Sequence, residues 1–238
     1  MNTSSFTRRD LLVASGVGLV AATGYAALRS HLTRSEAGAG ADPTLAFESP
    51  EDSEVELTRA SELRAGHNDL TRIAEGHVPA SGVPILISGR LVNGFGRPLP
   101  ATWVEIWNAN RWGRYAHIHD PSDLPEDPNF AGIGRTMTDS AGRYYFLTIE
   151  PGAYRAERGG ERLRPAHVHV AIGKGTARRV TEMYFAGDPH LAGDPAFAAL
   201  GDAGSRQLGQ DFRPAIAAAE RGLRFDIVTD GPNATFFA

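Results

Sequence analysis

The 238-residue sequence contains no cysteine. Disulfide bridges, thiolate metal sites and a cysteine nucleophile are therefore excluded, and His, Tyr, Asp and Glu remain as possible metal ligands. The sequence also has no block of Lys or Arg, and its net charge is only -4. A nucleic-acid partner is not expected, because such partners require a concentrated basic surface.

Three familiar enzyme motifs are missing as well. The HExxH motif of zinc hydrolases and the GxSxG elbow of serine hydrolases do not occur. A cupin motif would place a glutamate three or four residues after His169, but the segment that follows is VAIGKG. These absences narrow the search to other combinations of histidine, tyrosine and carboxylate.

The first 28 residues differ from the rest of the chain. Arg8 and Arg9 precede Asp10, and an uncharged run rich in Ala, Gly, Val and Leu extends from 11 to 28. This order is typical of an export signal, and the paired arginines resemble a twin-arginine signal. The alternative is an N-terminal anchor, because a run of this length nearly spans a bilayer. We expect residues 1–28 to direct the protein to the periplasm or to anchor it, with any membrane contact confined to this leader.

The rest of the chain divides into an arm and one folded domain. Residues 29–66 are polar and acidic, which predicts a linker or an arm that becomes ordered on a partner surface. Residues 67–238 carry most of the large apolar side chains, and their number suits a single core. Candidate strands occupy 84–92, 101–109, 143–149, 166–172, 179–186, 223–229 and 234–238.

Gly- and Pro-rich turns separate these short candidate strands. Only the segment from 194 to 221 suggests helix, with FRPAIAAAERG ending on a glycine. The pattern predicts an all-β fold, a β-sandwich with little helix. Long loops at 110–138, 150–165 and 187–222 are where a site is expected.

Two His-x-His pairs compete as candidate metal ligands. His117 and His119 lie in RYAHIHD, within a loop rich in Asp and Pro, where solvated polar residues are usual. His167 and His169 lie in RPAHVHV, and strand alternation points both imidazoles to one face. The intervening residues are apolar, so the histidine face is either solvent or an enclosed site.

Two tyrosines beside glycines complete a larger pattern. Tyr115 in GRYAHIHD and Tyr154 in PGAYRAERGG, taken with RPAHVHV, resemble the intradiol ring-cleavage dioxygenase family, most closely its protocatechuate 3,4-dioxygenase β-subunit branch. The resemblance covers roughly residues 68 to 237. It also includes GRLVNGFGRPLPATWVEIWNANRWGRY, LPEDPNFAGIGRTMTDSAGRYYFLTI, MYFAGDP and LRFDIV.

The resemblance implies four ligands for one mononuclear non-haem iron(III): Tyr115, Tyr154, His167 and His169. It also implies two catalytic roles, with Tyr154 as the ligand that substrate displaces and Arg164 as the cation that stabilises charge on the ring. The chemistry is consistent, because a phenol of pKa about 10 ligates as phenolate only beside a strongly acidic cation, and phenolates suit the hard ferric ion.

Arg164, Tyr184 and Glu182 are the substrate-binding residues that the resemblance implies. Glu182 stands where the protocatechuate enzymes have glutamine, and Arg155 and Ala156 stand where they have Pro-Trp. A carboxylate disfavours an acidic substituent on the substrate, whereas Arg155 could attract one, so the identity of the catechol stays open.

The implied activity is cleavage of a catechol-type ring with O2 to a muconate-type dicarboxylate. The expected partners are the small-molecule catechol and O2, in a homo-oligomer or a complex with a related subunit. The alternative is a non-catalytic, transthyretin-like β-sandwich that binds a ligand or partner, since GRLVNGFGRPLPATWVEI and TDSAGRYYF also suit such a module. The four ligand positions and Arg164 separate the two hypotheses.

Overall fold

The structure is a computed structural model of the chain. It describes residues 68–74, 76–116, 120, 122–155, 160–174 and 177–237. The expected leader (1–28) and arm (29–66) lie outside the described residues, and so do His117 and His119. Among the described residues, no helix is long and apolar enough to cross a membrane.

Strands dominate the described part of the chain. They are β1 (Pro84–Val92), β2 (Trp103–Trp107), β3 (Ile133–Met137), β4 (Arg143–Ile149), β5 (Tyr154–Arg155), β6 (Leu163–Arg164), β7 (His167–Lys174), β8 (Ala177–Phe185), β9 (Leu208–Phe212), β10 (Arg221–Arg224) and β11 (Ile227–Val228). In the described part of the chain, helix is limited to α1 (Pro195–Ala199) and to 3-10 turns at Leu191–Gly193 and Gly201–Gln207.

Nine of these strands belong to one sheet. Its order is β11-β1-β10-β9-β8-β7-β2-β3, β4 pairs with β1, and β5 and β6 form a separate two-stranded ribbon. Side chains from β1 and β4 share one buried apolar cluster with side chains from β2 and β7. Two parts of the sheet therefore enclose a common core, and the predicted all-β sandwich with little helix is confirmed.

Strand β7 has two faces with different roles. Val168, Val170 and Ile172 point into the shared core. His167 and His169 alternate with them, so their imidazoles lie on the opposite face of the sheet, where they are nonetheless buried. The choice left open by the sequence between solvent and an enclosed site is resolved in favour of an enclosed site.

Several element predictions hold and others fail. Strands β1 and β4 have the predicted bounds, and strand β3 was missed inside the loop predicted at 110–138. No helix occupies 212–222, and the segment 234–237 is irregular rather than a strand.

The helix predicted at 212–222 does not form, for a clear physical reason. Phe212 pairs with Gly222 and Asp211 with Leu223, so both ends of the segment are drawn into the antiparallel β9–β10 pairing. An eight-residue stretch between them is too short to form a stable helix without packing of its own. The alanine-rich composition of 215–219 is therefore overridden by strand pairing.

Candidate metal centre

One imidazole of β7, that of His169, packs against an aromatic side chain of the neighbouring strand β2. Trp107 of β2 lies directly opposite His169 in the sheet register. Its indole stacks on the His169 ring, with centroids 4.9 Å apart and planes inclined by 15°. The guanidinium of Arg178 lies 5.3 Å from the Trp107 centroid. These stacked groups fix the plane of the His169 ring.

The loops that carry the two tyrosines touch each other through glycines. Gly113 adopts φ +88°, and a Cβ there would lie 2.4 Å from the carbonyl oxygen of Ala153. A Cβ on Gly152 would lie 2.6 Å from the carbonyl oxygen of Arg111. Only glycine permits this backbone approach, which holds the segment before Tyr115 against the segment before Tyr154.

Tyr115 and the two histidines bring three donor atoms together. The hydroxyl oxygen of Tyr115 lies 3.0 Å from Nε2 of His169 and 3.4 Å from Nε2 of His167, and the two Nε2 atoms are 3.1 Å apart. The Nδ1–H of His167 donates to the carbonyl oxygen of Pro165 at 2.9 Å. Because a carbonyl can only accept, this bond directs the Nε2 lone pair of His167 into the cluster.

Tyr154 borders the same cluster. Its ring is edge-on to that of Tyr115, with centroids 5.4 Å apart, and its centroid lies 5.5 Å from that of His167. Strand pairing places Tyr154 directly opposite Arg164, whose Nη1 lies 3.5 Å from the tyrosine hydroxyl. All four ligands implied by the resemblance are thus gathered at one place.

The spacing of the donor atoms fits a metal ion. Two ligand atoms at right angles, with bonds of about 2.1 Å to one ion, lie about 3.0 Å apart. The observed separations of 3.0, 3.1 and 3.4 Å match that requirement. Imidazole nitrogens with phenol oxygens, and no thiolate, form a donor set that suits ferric iron better than a structural zinc.

Glu182 is a rival donor. One of its carboxylate oxygens lies 3.9 Å from Nε2 of His167 and 3.8 Å from Nδ1 of His169, which makes a group of two histidines and one carboxylate. Both distances exceed those from Tyr115, and the same carboxylate is held by Arg164. Tyr115 is therefore the better third ligand.

Arg164 is a buried cation beside the cluster, and its side chain donates several hydrogen bonds. Its side chain is only 2% exposed, and Nη1 and Nη2 donate to the two oxygens of Glu182 at 3.2 and 3.0 Å. Its Nε donates to Asp194 at 3.1 Å, and its Nη2 to the hydroxyl of Tyr184 at 3.2 Å. Burial is the largest single influence and lowers the pKa of Arg164, but the charge and hydrogen bond of Glu182, together with Tyr154 and Tyr184, outweigh it and raise the pKa, so the guanidinium stays charged.

Tyr184 is held in its neutral form. Burial, reinforced by the charge of Glu182, raises the pKa of Tyr184 well above its ordinary value. Its hydroxyl donates to Glu182, and its ring meets Phe197 edge-on with centroids 5.0 Å apart. Tyr184 is consequently a hydrogen-bond donor with a fixed ring. Its hydroxyl bonds to Glu182, unlike the hydroxyl of Tyr115, which lies beside the two histidines.

Three neighbours of the site were not foreseen from the sequence. Asp194 accepts from Arg164 through one oxygen, and through the other it caps α1 by accepting from the backbone N–H of Phe197. Trp107 and Arg178 form the stack beneath His169. An Asp-Pro pair before an apolar residue is a recognisable helix start, but nothing in it indicates a contact with Arg164.

The residues of the donor cluster lie in a segment that is similar to known proteins. A sequence model of the family described as "Dioxygenase" matches residues 59–231, a range that contains the whole donor cluster. The protocatechuate 3,4-dioxygenase beta chain of Burkholderia cepacia is 42% identical over 182 residues, which cover 74% of this chain and 77% of that protein. Catechol 1,2-dioxygenase 1 of Acinetobacter lwoffii is 34% identical over 127 residues, 48% of this chain and 40% of that protein.

Solved structures share the fold. Catechol 1,2-dioxygenase from Pseudomonas arvilla C-1 aligns with a TM-score of 0.52 at 28% identity, over 75% of this chain and 62% of that one. The dioxygenase domain of a carbohydrate-binding fusion from Streptomyces sp. SirexAA-E aligns with a TM-score of 0.52 at 24% identity, over 71% of this chain and 90% of that one. The β fold of this chain is thus shared with solved dioxygenase structures.

Proposed function

The chain belongs to the intradiol ring-cleavage dioxygenase family, and on that premise we propose that it is an exported iron(III) enzyme that opens a catechol-type ring to a muconate-type dicarboxylate. The observation that carries the proposal is the convergence of the Tyr115 hydroxyl with Nε2 of His167 and His169, at separations of 3.0 to 3.4 Å. A ligand- or partner-binding sandwich has no need of such a cluster, and family membership favours the enzyme over that alternative.

We assign the metal to Tyr115, Tyr154, His167 and His169. A ferric ion bound there supplies a strongly acidic centre that favours ionised diphenols and makes a bound diphenol reactive toward O2. Around it, Trp107 fixes the His169 ring and the Pro165 carbonyl fixes the His167 tautomer. These contacts preorganise the ligands before substrate arrives.

Tyr154 and Arg164 have the catalytic roles in this proposal. Tyr154 is half-buried, whereas Arg164 is almost fully buried. With a ferric ion bound, Tyr154 would be a phenolate, and its oxygen, 3.5 Å from Nη1 of Arg164, would be the base that takes up a proton from the incoming diphenol and becomes a phenol as it leaves the metal. Arg164 keeps its positive charge next to the substrate ring during the reaction. Glu182 and Asp194 keep its guanidinium in one orientation.

Oxygen uptake by the iron-loaded protein tests the reaction. With catechol we expect one O2 consumed per diphenol and a single product that retains every atom of the catechol and of the O2. In ¹⁸O2 both labelled atoms should appear in that product, as mass spectrometry would show. Cleavage outside the two hydroxyl-bearing carbons, or release of one labelled atom as water, would contradict intradiol cleavage.

Export is proposed from the residues at 8 to 28, which lie outside the described structure. The paired arginines before a weakly apolar run are the support for a twin-arginine route, which carries folded proteins. In a bacterial host with that route, fractionation should place the wild type outside the cytoplasm. Replacing Arg8 and Arg9 together with Lys should retain it in the cytoplasm, and unchanged fractionation would count against the route.

We also propose that the acidic part of the arm, residues 40–66, contacts a second subunit, either a copy of this chain or a related one. The support is its composition, together with the similarity to a protein named as a beta chain. Deleting 40–66 should lower the mass of the assembly in solution. An unchanged mass would remove the arm from the interface.

A further inference from the structure

Glu182 places a fixed negative charge at the donor cluster. Its carboxylate lies 3.8 and 3.9 Å from ring nitrogens of His169 and His167. It accepts from both terminal nitrogens of Arg164 and from the hydroxyl of Tyr184. Three donors orient this carboxylate, and two of them belong to one guanidinium that pairs with both of its oxygens.

The positive charge of Arg164 is already balanced by carboxylates of the protein. One guanidinium, that of Arg164, is shared between the carboxylates of Glu182 and Asp194, which leaves this trio with a net charge of minus one. Arg164 donates through Nε, Nη1 and Nη2 to these partners. Arg164 is therefore poorly placed to receive a third anion from a substrate substituent.

Arg155 does not supply the missing cation. It follows Tyr154 and was a candidate to attract an acidic substituent. Its side chain instead donates to the carbonyl oxygen of Gly160, within the loop that connects β5 to β6. Its side chain is thereby directed along its own loop.

We propose that Glu182 makes this site selective for diphenols without an acidic substituent, a preference that rests on the proposed ring-cleavage function. A ring carboxylate brought to the donor cluster comes within several ångströms of Glu182, and like charges at that range in a partly buried site repel strongly. The expected penalty is about 10- to 100-fold in affinity. On this point the chain differs from the protocatechuate enzyme that it resembles.

The test compares diphenols that carry one ring substituent each and differ in the charge of that substituent. Dissociation constants for 4-methylcatechol, 3,4-dihydroxybenzoate and the cationic 4-(2-aminoethyl)catechol are measured without oxygen by calorimetry on the iron-loaded protein. The wild type should bind the methyl compound at least about 10-fold more tightly than the carboxylate, with the cation at least as tight as the methyl compound.

The variant Glu182→Gln removes the charge and keeps the side-chain volume. It should narrow the ratio of methyl to carboxylate affinity by about 10-fold or more, mainly through tighter binding of the carboxylate. Glu220→Gln is the control, because Glu220 is exposed and lies between β9 and β10, outside the segments that carry the donor cluster. Its ratio should equal that of the wild type.

The outcomes separate the two proposals. Equal binding of methyl and carboxylate compounds by the wild type overturns the charge preference and leaves ring cleavage standing. Binding of no diphenol overturns ring cleavage and this inference with it. If Glu182→Gln does not fold, the order of the three affinities in the wild type still decides, because only a negative site ranks cation, neutral and anion in that sequence.

Discussion

Replacing Tyr115 with Phe should reduce iron affinity by at least about 100-fold, since loss of even an indirect support of a metal ligand typically costs 10- to 100-fold. The change removes one oxygen that lies 3.0 Å from Nε2 of His169 and 3.4 Å from Nε2 of His167, and leaves the ring in place. Metal analysis after dialysis should find about one iron per wild-type chain and nearly none in the variant.

Tyr145→Phe is the matched control for that experiment. Tyr145 lies on β4 and is 61% exposed, on a strand that contributes no donor to the cluster. It should retain the wild-type iron content, and both variants should keep the wild-type melting temperature without metal. Full iron retention by Tyr115→Phe would transfer the third ligand position to Glu182, whose carboxylate is the rival donor.

Replacing Arg164 with Met should destabilise the protein by about 3 to 5 kcal/mol, the usual cost of removing one partner from a buried ion pair. The change leaves the carboxylates of Glu182 and Asp194 together without the guanidinium between them, and Asp194 is 2% exposed. For a chain of this size the melting temperature should fall by about 10 °C. Thermal unfolding of the metal-free protein measures the effect.

Two further variants identify the cause of that loss. Arg224→Met removes an arginine that is 54% exposed and pairs with Asp226, so it should cost less than about 1 kcal/mol. Adding Glu182→Gln to Arg164→Met removes one of the two facing charges and should restore part of the lost melting temperature. Equal melting temperatures for Arg164→Met and Arg224→Met would show that the Arg164 network does not hold this region together.

The strands that the sequence predicts well are those whose pattern reflects burial. In β1 every second side chain enters the core, and in β4 Tyr144 and Phe146 do the same, so alternation marks both strands. Strand β3 has the sequence IGRTM, which lacks such alternation, and it forms because β2 offers a pairing edge. Its existence depends on a contact between segments about 30 residues apart, which local sequence does not encode.

In the candidate site too, some residues can be predicted from the sequence and others depend on long-range contacts. Same-face histidines at 167 and 169 follow from strand geometry, and Tyr115 and Tyr154 are found through the family motif. Asp194 is 30 residues from Arg164 and reaches it only because α1 packs over Tyr184 through Phe197. A buried guanidinium requires partners, so the sequence predicts that some carboxylates surround Arg164 but does not say which.

Visible absorption of the iron-replete protein tests the central claim most directly. Coordination of ferric iron by the phenolates of Tyr115 and Tyr154 predicts a burgundy protein with a charge-transfer band that shifts when catechol is added without oxygen. A protein that contains one iron per chain and stays colourless, or whose band does not respond to catechol, would contradict both the ligand set and the proposed reaction.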